Sequence, residues 1–255
     1  MSGDGEEQRQ ALHQKIDALS PQEVVVVIEY VDALLTPVRA AINPSSWLVT
    51  AEWADAFLAR LRAHHALSKS PLSRTQFESA FEASCETAGW HVTPTGSAVH
   101  RFFDTTIARD EIEPRNISLK GTAAADMKPG WVHISKLTEG AWIQDARVKT
   151  VRRNRIVELF QEFRAACYCI MILRCFRRPE TMLYELVEIP SSLFDTVDQL
   201  DVAAAQADTI GIPPGSATPH LKIRIDRSDA KITLTGIELD ACIVHGRWEL
   251  SPNPA

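Results

Sequence analysis

Apolar residues recur every three or four positions through the first third of the chain, and every second position or in unbroken runs after it. The first pattern predicts helices. One spans Glu6 to Leu19. A second runs to about Leu35 and opens with Ser20-Pro21-Gln22-Glu23, where Ser caps, Pro presets the first helical φ and Glu23 completes a capping box. Thr50 caps a third, Ala51 to about His65, with Trp53, Phe57, Leu58 and Leu61 at helical spacing. Ser70-Pro71 or Ser73 opens a fourth. There Phe77, Phe81 and Cys85 repeat every four residues beside a stripe of Glu78, Glu82 and Glu86, and Gly89 closes the helix.

Beyond residue 89 the period shortens. Strands are predicted at Val99 to Ile107, Asn116 to Lys120 and Trp131 to Lys136, the last with strict alternation around Val132 and Ile134, and the three suggest a meander. A long helix from about Asp145 to Ala166 precedes two apolar runs, Cys169 to Phe176 and Leu183 to Ile189, that read as buried strands. A short helix (Ser191 to Leu200) and a Pro/Gly stretch lead to strands at Leu221–Ile225, Lys231–Thr235 and Ala241–Trp248. The fold class is α/β (α+β): a mixed sheet flanked by helices, with a helical N-terminal part and a β-rich C-terminal part. We expect a single domain over 1–255, divided into a helical part (1–69), a core (70–190) and a C-terminal extension (191–255).

Composition removes several classes of function. With 45% hydrophobic and 24% charged residues in 255, the chain is globular rather than disordered or fibrous. The longest apolar run, Cys167 to Leu173, is too short to span a bilayer and is followed by Arg174, Arg177 and Arg178. The acidic N-terminus has no secretory pattern, so a cytoplasmic location is expected. The five cysteines contain no CxxC pair and read as reduced core residues. Charge is uneven: Arg147 to Arg178 holds nine Arg or Lys against Glu158 and Glu162, or +7, in a chain of net −6, leaving −13 for the rest. A solvated helix face and a phosphate-binding surface both account for that segment.

One constellation carries chemistry. Asp104 lies on one predicted strand, and Ser118-Leu119-Lys120 ends the next. Alternation turns Ser118 and Lys120 to the same side, toward Asp104. A carboxylate can hold a hard divalent cation such as Mg²⁺ at a scissile phosphate, and a lysine beside it can orient the attacking water as the ammonium or help deprotonate it as the neutral amine. This is the outline of a D…(E)xK nuclease site with Ser118 in place of the middle acid.

Several stretches, in order over residues 70 to 250, resemble the SmaI-like family of type II restriction endonucleases: Phe77-Glu78 with Ala80-Phe81, Asp104-Thr-Thr-Ile107, Leu119-Lys120, Val132-His-Ile-Ser-Lys136, Leu186-Val-Glu-Ile-Pro190 and Cys242-Ile-Val-His-Gly-Arg-Trp248. The resemblance implies a PD-(D/E)xK endonuclease core. It also implies a Mg²⁺-dependent phosphodiesterase acting as a homodimer on palindromic, GC-rich (CCCGGG-like) duplex DNA, with a cognate DNA methyltransferase in the same restriction-modification system. Carried over by position, Asp104 is a metal ligand, Lys120 the motif lysine and Ser118 the departure from the pattern, with Leu119 as a further metal-site position. The missing acid is then Glu78, or else Glu158 or Glu162.

DNA-contact candidates are His133, Ser135 and Lys136 after the catalytic strands, His245 and Arg247 in the last strand, and Arg152, Arg153 and Arg155 as phosphate contacts. His133 reads equally as a structural residue, His245 and Arg247 more readily so because the last strand can simply pack, and the pair His64-His65 reads as surface. Two other functions fit the same residues: a DNA-binding protein that has lost catalysis, and a nicking repair nuclease. The N-terminal helices, which match the family least, are the candidate dimer interface.

Overall fold

All four expected N-terminal helices are present in the computed structural model, which describes residues 4–35, 38–95, 101–140, 142–145 and 148–251. They are α1 (Asp4–Asp17), α2 (Pro21–Leu35), α3 (Ala51–Leu67) and α4 (Arg74–Thr87). Their starts have local causes. Ser20 and Glu23 bond reciprocally across the start of α2, Thr50 accepts the Trp53 amide at α3, and Ser73 with Gln76 forms a capping box at α4. Ser73, not Ser70, therefore opens the fourth helix. Gly89, at φ +80°, ends it in a conformation that a Cβ disfavours.

The remaining elements are β1 (Val38–Ile42), β2 (His91–Pro94), β3 (Thr105–Arg109), β4 (Ile112–Thr122), β5 (Trp131–Glu139), α5 (Trp142–Asp145), α6 (Lys149–Ala166), β6 (Cys169–Arg177), β7 (Met182–Pro190), β8 (Thr209–Ile212), β9 (Leu221–Asp226), β10 (Lys231–Glu238) and β11 (Ile243–Leu250), with short 3₁₀ turns between β7 and β8 and before β11. They form a seven-stranded sheet in the order β1-β11-β7-β6-β4-β3-β2 and a four-stranded sheet in the order β5-β10-β9-β8. In the larger sheet only β4 and β6 are parallel, and the crossover between them runs through β5 and α6.

Three expectations are corrected here. The strand placed at 99–107 begins at Thr105; positions 99 and 100, like Arg147 of the basic segment, lie outside the described residues. The three-strand meander does not form. β3 and β4 pair antiparallel, but the far side of β4 is taken by β6, and β5 pairs with β10 in the second sheet. Burial explains the choice: β6 is apolar on both faces and fits the middle of a covered sheet, whereas the alternating β5 suits a sheet with one face in water. The helix expected from Asp145 starts at Lys149, after the separate turn α5.

The seven-stranded sheet is covered on both sides. On one side Met171, Leu173, Tyr184 and Leu186 pack with Trp53, Phe57, Phe77 and Phe81 of α3 and α4. On the other, Ile170, Ile172, Val187 and Ile189 pack with Phe160 and Phe163 of α6 and the inner face of the small sheet. Cys85, Cys167, Cys169 and Cys175 are free and buried, and Cys242 is free and half-buried. His65, expected at the surface, is 5% exposed, and its Nε2 lies 2.8 Å from the Tyr184 hydroxyl, which also accepts the Leu72 amide. Tyr184→Phe leaves both groups short of a partner. It should lower unfolding stability by about 1–3 kcal/mol, seen as a lower urea midpoint at unchanged m-value. No helix of the described residues is long and apolar enough to cross a membrane.

Candidate active site

The pairing of β3 with β4 brings the acid and the lysine together. Thr105 pairs with Ile117, and the Asp104 amide donates to the Ile117 carbonyl at 2.9 Å, so Asp104 sits across from Ser118 just before β3 begins. Its Oδ2 accepts the Leu119 amide at 2.6 Å, the Ser118 hydroxyl at 3.3 Å and Lys120 Nζ at 3.4 Å. The Leu119 side chain is fully buried in the core, so only its main chain faces the site. The N–H and C=O of one strand residue point to the same edge. The Leu119 carbonyl is therefore directed to the edge of β4 that β3 leaves free. Burial holds the Lys120 ammonium below its ordinary pKa, and Asp104 opposes that shift.

Helix α4 supplies the rest. Arg74 Nε bonds Glu78 Oε1 at 2.6 Å, and its Nη2 bonds Asp104 Oδ1 at 2.8 Å. One guanidinium thus joins a helix carboxylate to a strand carboxylate, and its pKa is raised, chiefly by the bond to Glu78. Arg74 was not among the sequence candidates. Its only sequence signal is its place one turn before Glu78, a spacing found on many helix surfaces. Glu82, one turn after Glu78, is a third acid of this corner. Burial raises its pKa, the Thr105 hydroxyl lowers it through a hydrogen bond, and Glu78, Glu86 and Asp104 raise it further as like charges.

Four of these groups line a cleft of about 820 Å³ whose opposite wall is β5. Arg74, Glu78, Asp104 and Lys120 face it from one side, Ser135 and Lys136 from the other, with Lys136 held to Glu139 at 2.8 Å. The structure therefore brings six residues from α4, the β3–β4 corner and β5 to one opening. His133 lies on the exposed face of β5, outside the cleft lining.

A family model described as SmaI, type II site-specific deoxyribonuclease, matches residues 12–250. The chain belongs to this family. The type II restriction enzyme SmaI of Serratia marcescens is 28% identical over 207 residues, 74% of this chain and 76% of that enzyme. No solved structure matches. This enzyme is accordingly a restriction endonuclease, a hydrolase acting on duplex DNA, and type II restriction enzymes generally use a divalent metal.

The basic segment and the last strand are not presented as expected. Arg152 is 3% exposed, and its Nη2 donates to the Ala207 carbonyl. Arg153 is half-buried and donates to the Leu200 and Asp198 carbonyls. Both clamp α6 to the segment after β7 and are not free for phosphate. Arg155 is exposed beside Glu158. Arg164 is tied to Asp195 and Asp198, and Arg174 is buried against Glu185. His245 is fully buried, bonded to Ser46 and Glu188, so it is a core residue rather than a DNA contact. Arg247 is exposed but bonded to Glu185 at 2.7 Å, and it does not line the cleft. Of the alternative acids, Glu162 pairs with Arg101 and Glu158 with Arg155, and neither lines the cleft.

Proposed function

We propose that the enzyme makes double-strand breaks in a Mg²⁺-dependent reaction at the corner formed by Asp104, Glu78 and Lys120, acting as a homodimer on a GC-rich palindrome of the CCCGGG type. One observation carries the reading: a cleft-facing oxygen of Asp104 and one of Glu78, from different elements, converge on a single cation, the Arg74 guanidinium. Two carboxylate oxygens and the Leu119 carbonyl are a hard, all-oxygen donor set. It suits Mg²⁺, which keeps several waters and takes few protein ligands.

When bound, Mg²⁺ supplies charge neutralisation at the phosphate and acidifies its water. The protein groups have separate tasks. Ser118 and the Leu119 amide hold Asp104 Oδ2, which leaves Oδ1 turned to the cleft. Lys120, whose ammonium burial already disfavours, would orient the attacking water and, as the neutral amine, take its proton. Arg74 must release Asp104 and Glu78, after which it is a free cation for the phosphate. Arg74→Gln should therefore raise the affinity of the DNA-free protein for Mg²⁺ by about tenfold in calorimetric titration, since a competing charge at contact distance is gone. Unchanged affinity would mean that these two oxygens are not the cation's ligands.

The homodimer reading is supported by α2, where Val25, Val26, Ile28 and Val31 are 44% to 54% exposed. Residues 1–69 would then serve assembly, with 70–190 as the catalytic core and 191–255 completing both sheets in one endonuclease unit. An enzyme of this kind works where DNA is, in the prokaryotic cytoplasm. It needs a methyltransferase that marks the host's own sites. Incubation of supercoiled plasmid with Mg²⁺ and with EDTA tests the whole reading. Discrete linear fragments only with Mg²⁺ support it, open circles indicate a nicking nuclease, and unchanged plasmid indicates a DNA-binding protein without catalysis.

A further inference from the structure

The four-stranded sheet has one face in the core and one in water. Ile134, Ile210, Ile212, Leu221, Ile223 and Leu234 point inward. The pairing register lays the alternate residues in two rows across the outer face. Arg224 pairs with Thr233 on one side and Thr209 on the other, and the Thr233 hydroxyl reaches the Ser135 carbonyl at 3.1 Å. The next row joins Thr235, Lys222 and Gly211, with His133 of β5 at its end. Lys222, Arg224, His133, Ser135 and Thr209 are exposed.

These two rows contain two permanent cations and no carboxylate, in a chain of net charge −6. Neither Lys222 nor Arg224 has a hydrogen bond to another side chain among the described residues, while Arg224 interacts electrostatically with Asp226, which is paired with Lys231 in the next row. The face is also continuous with the cleft, because Ser135 lines the cleft and stands in the first row. Strands lie about 4.8 Å apart, so a row of four spans about 14 Å, wider than the roughly 12 Å major groove, and the face lies across the groove and its flanking phosphates rather than inside it.

We propose that this outer sheet face lies against duplex DNA, with Lys222 and Arg224 as its cationic contacts and His133 and Ser135 at its cleft edge. The charge of these two rows is complementary to DNA, and their polar groups offer donors to phosphates and to guanine N7 and O6. A polynucleotide whose scissile phosphate enters the cleft extends past Ser135 onto this face. The proposal rests on the reading that the cleft receives that phosphate. Arg152 and Arg153 of α6 are spent on main-chain carbonyls, which leaves Lys149 and Arg155 as its exposed cations, and this face adds two more beside the cleft.

The test is the double variant Lys222→Gln with Arg224→Gln, and a second pair, Lys222→Thr with Arg224→Thr, which keeps high strand propensity. Both sites are exposed, so melting temperature should not change. Binding is followed by fluorescence anisotropy in EDTA, with one duplex containing CCCGGG and one of scrambled order. Affinity should fall about tenfold or more. Loss on both duplexes, with the log K versus log salt slope smaller by about 2, marks phosphate contacts, each worth about 0.9. Loss on the CCCGGG duplex alone marks base-edge contacts. Either result supports the proposal, and unchanged affinity and slope in both folded variants overturn it. Cleavage by Lys120→Ala, measured in parallel, separates the two readings: a fully active Lys120→Ala removes the catalytic assignment without touching the binding result.

Discussion

Replacing Lys120 with alanine should slow DNA cleavage by about 10²- to 10⁴-fold while leaving affinity for duplex DNA within about tenfold of wild type. Lys120 lies on the partly buried side of the corner at 3.4 Å from Asp104 Oδ2, whereas Arg74 holds Oδ1 from the more exposed side. Its desolvation makes the neutral amine cheaper than on an exposed lysine, and a neutral amine can take a proton from water. Only a small part of its side chain reaches solvent, so it contributes little to the general field that attracts DNA. The loss therefore belongs to the chemical step and should appear under single-turnover conditions with enzyme in excess. A variant that cuts at near wild-type rate would remove Lys120 from the mechanism.

Glu78→Gln should lower the rate by at least about 10²-fold and raise the Mg²⁺ concentration needed for half-maximal cleavage. The substitution keeps the shape and an acceptor oxygen for Arg74 and removes one negative charge, so the folded state should be little affected. With Ser118 where the family pattern has an acid, Asp104 is otherwise the sole carboxylate of the motif at the cleft. The reading would be lost at this position if Glu78→Gln cut normally and Glu162→Gln were inactive, since the second acid would then come from α6. Equal loss in Glu78→Gln and Glu82→Gln would instead show that the α4 stripe acts as a unit, as their mutual repulsion allows.

The elements that were legible are those whose determinants are local. A capping box lies within four residues, and three of the four helix starts follow from such a signal at Ser20, Thr50 and Ser73. Three strands were missed, and β1, β2 and β8 are all edge strands of four or five residues. Such strands carry too few residues for a period to emerge, and a partner's main chain holds them in place. The site divides in the same way. That Ser118 and Lys120 share a side is a property of any strand. That Arg74 bonds Asp104, thirty residues away, is a property of how α4 packs on the sheet.

By itself, the sequence determined the starts of α2, α3 and α4, the central apolar strands, the side of β4 that carries Ser118 and Lys120, and, through its family motifs, the class of enzyme. Tertiary structure alone decided which sheet β5 joins, and so which wall faces Asp104 across the cleft. It also decided that Arg152, Arg174 and His245 are interior groups while Lys222 and Arg224 remain in water. The reason is physical: backbone period and capping act over one or two turns, whereas the burial of a charge depends on carbonyls and carboxylates brought to it from distant parts of the chain. Arg152 is buried because the Ala207 carbonyl meets it, fifty-five residues on, and nothing near Arg152 in the chain announces that partner.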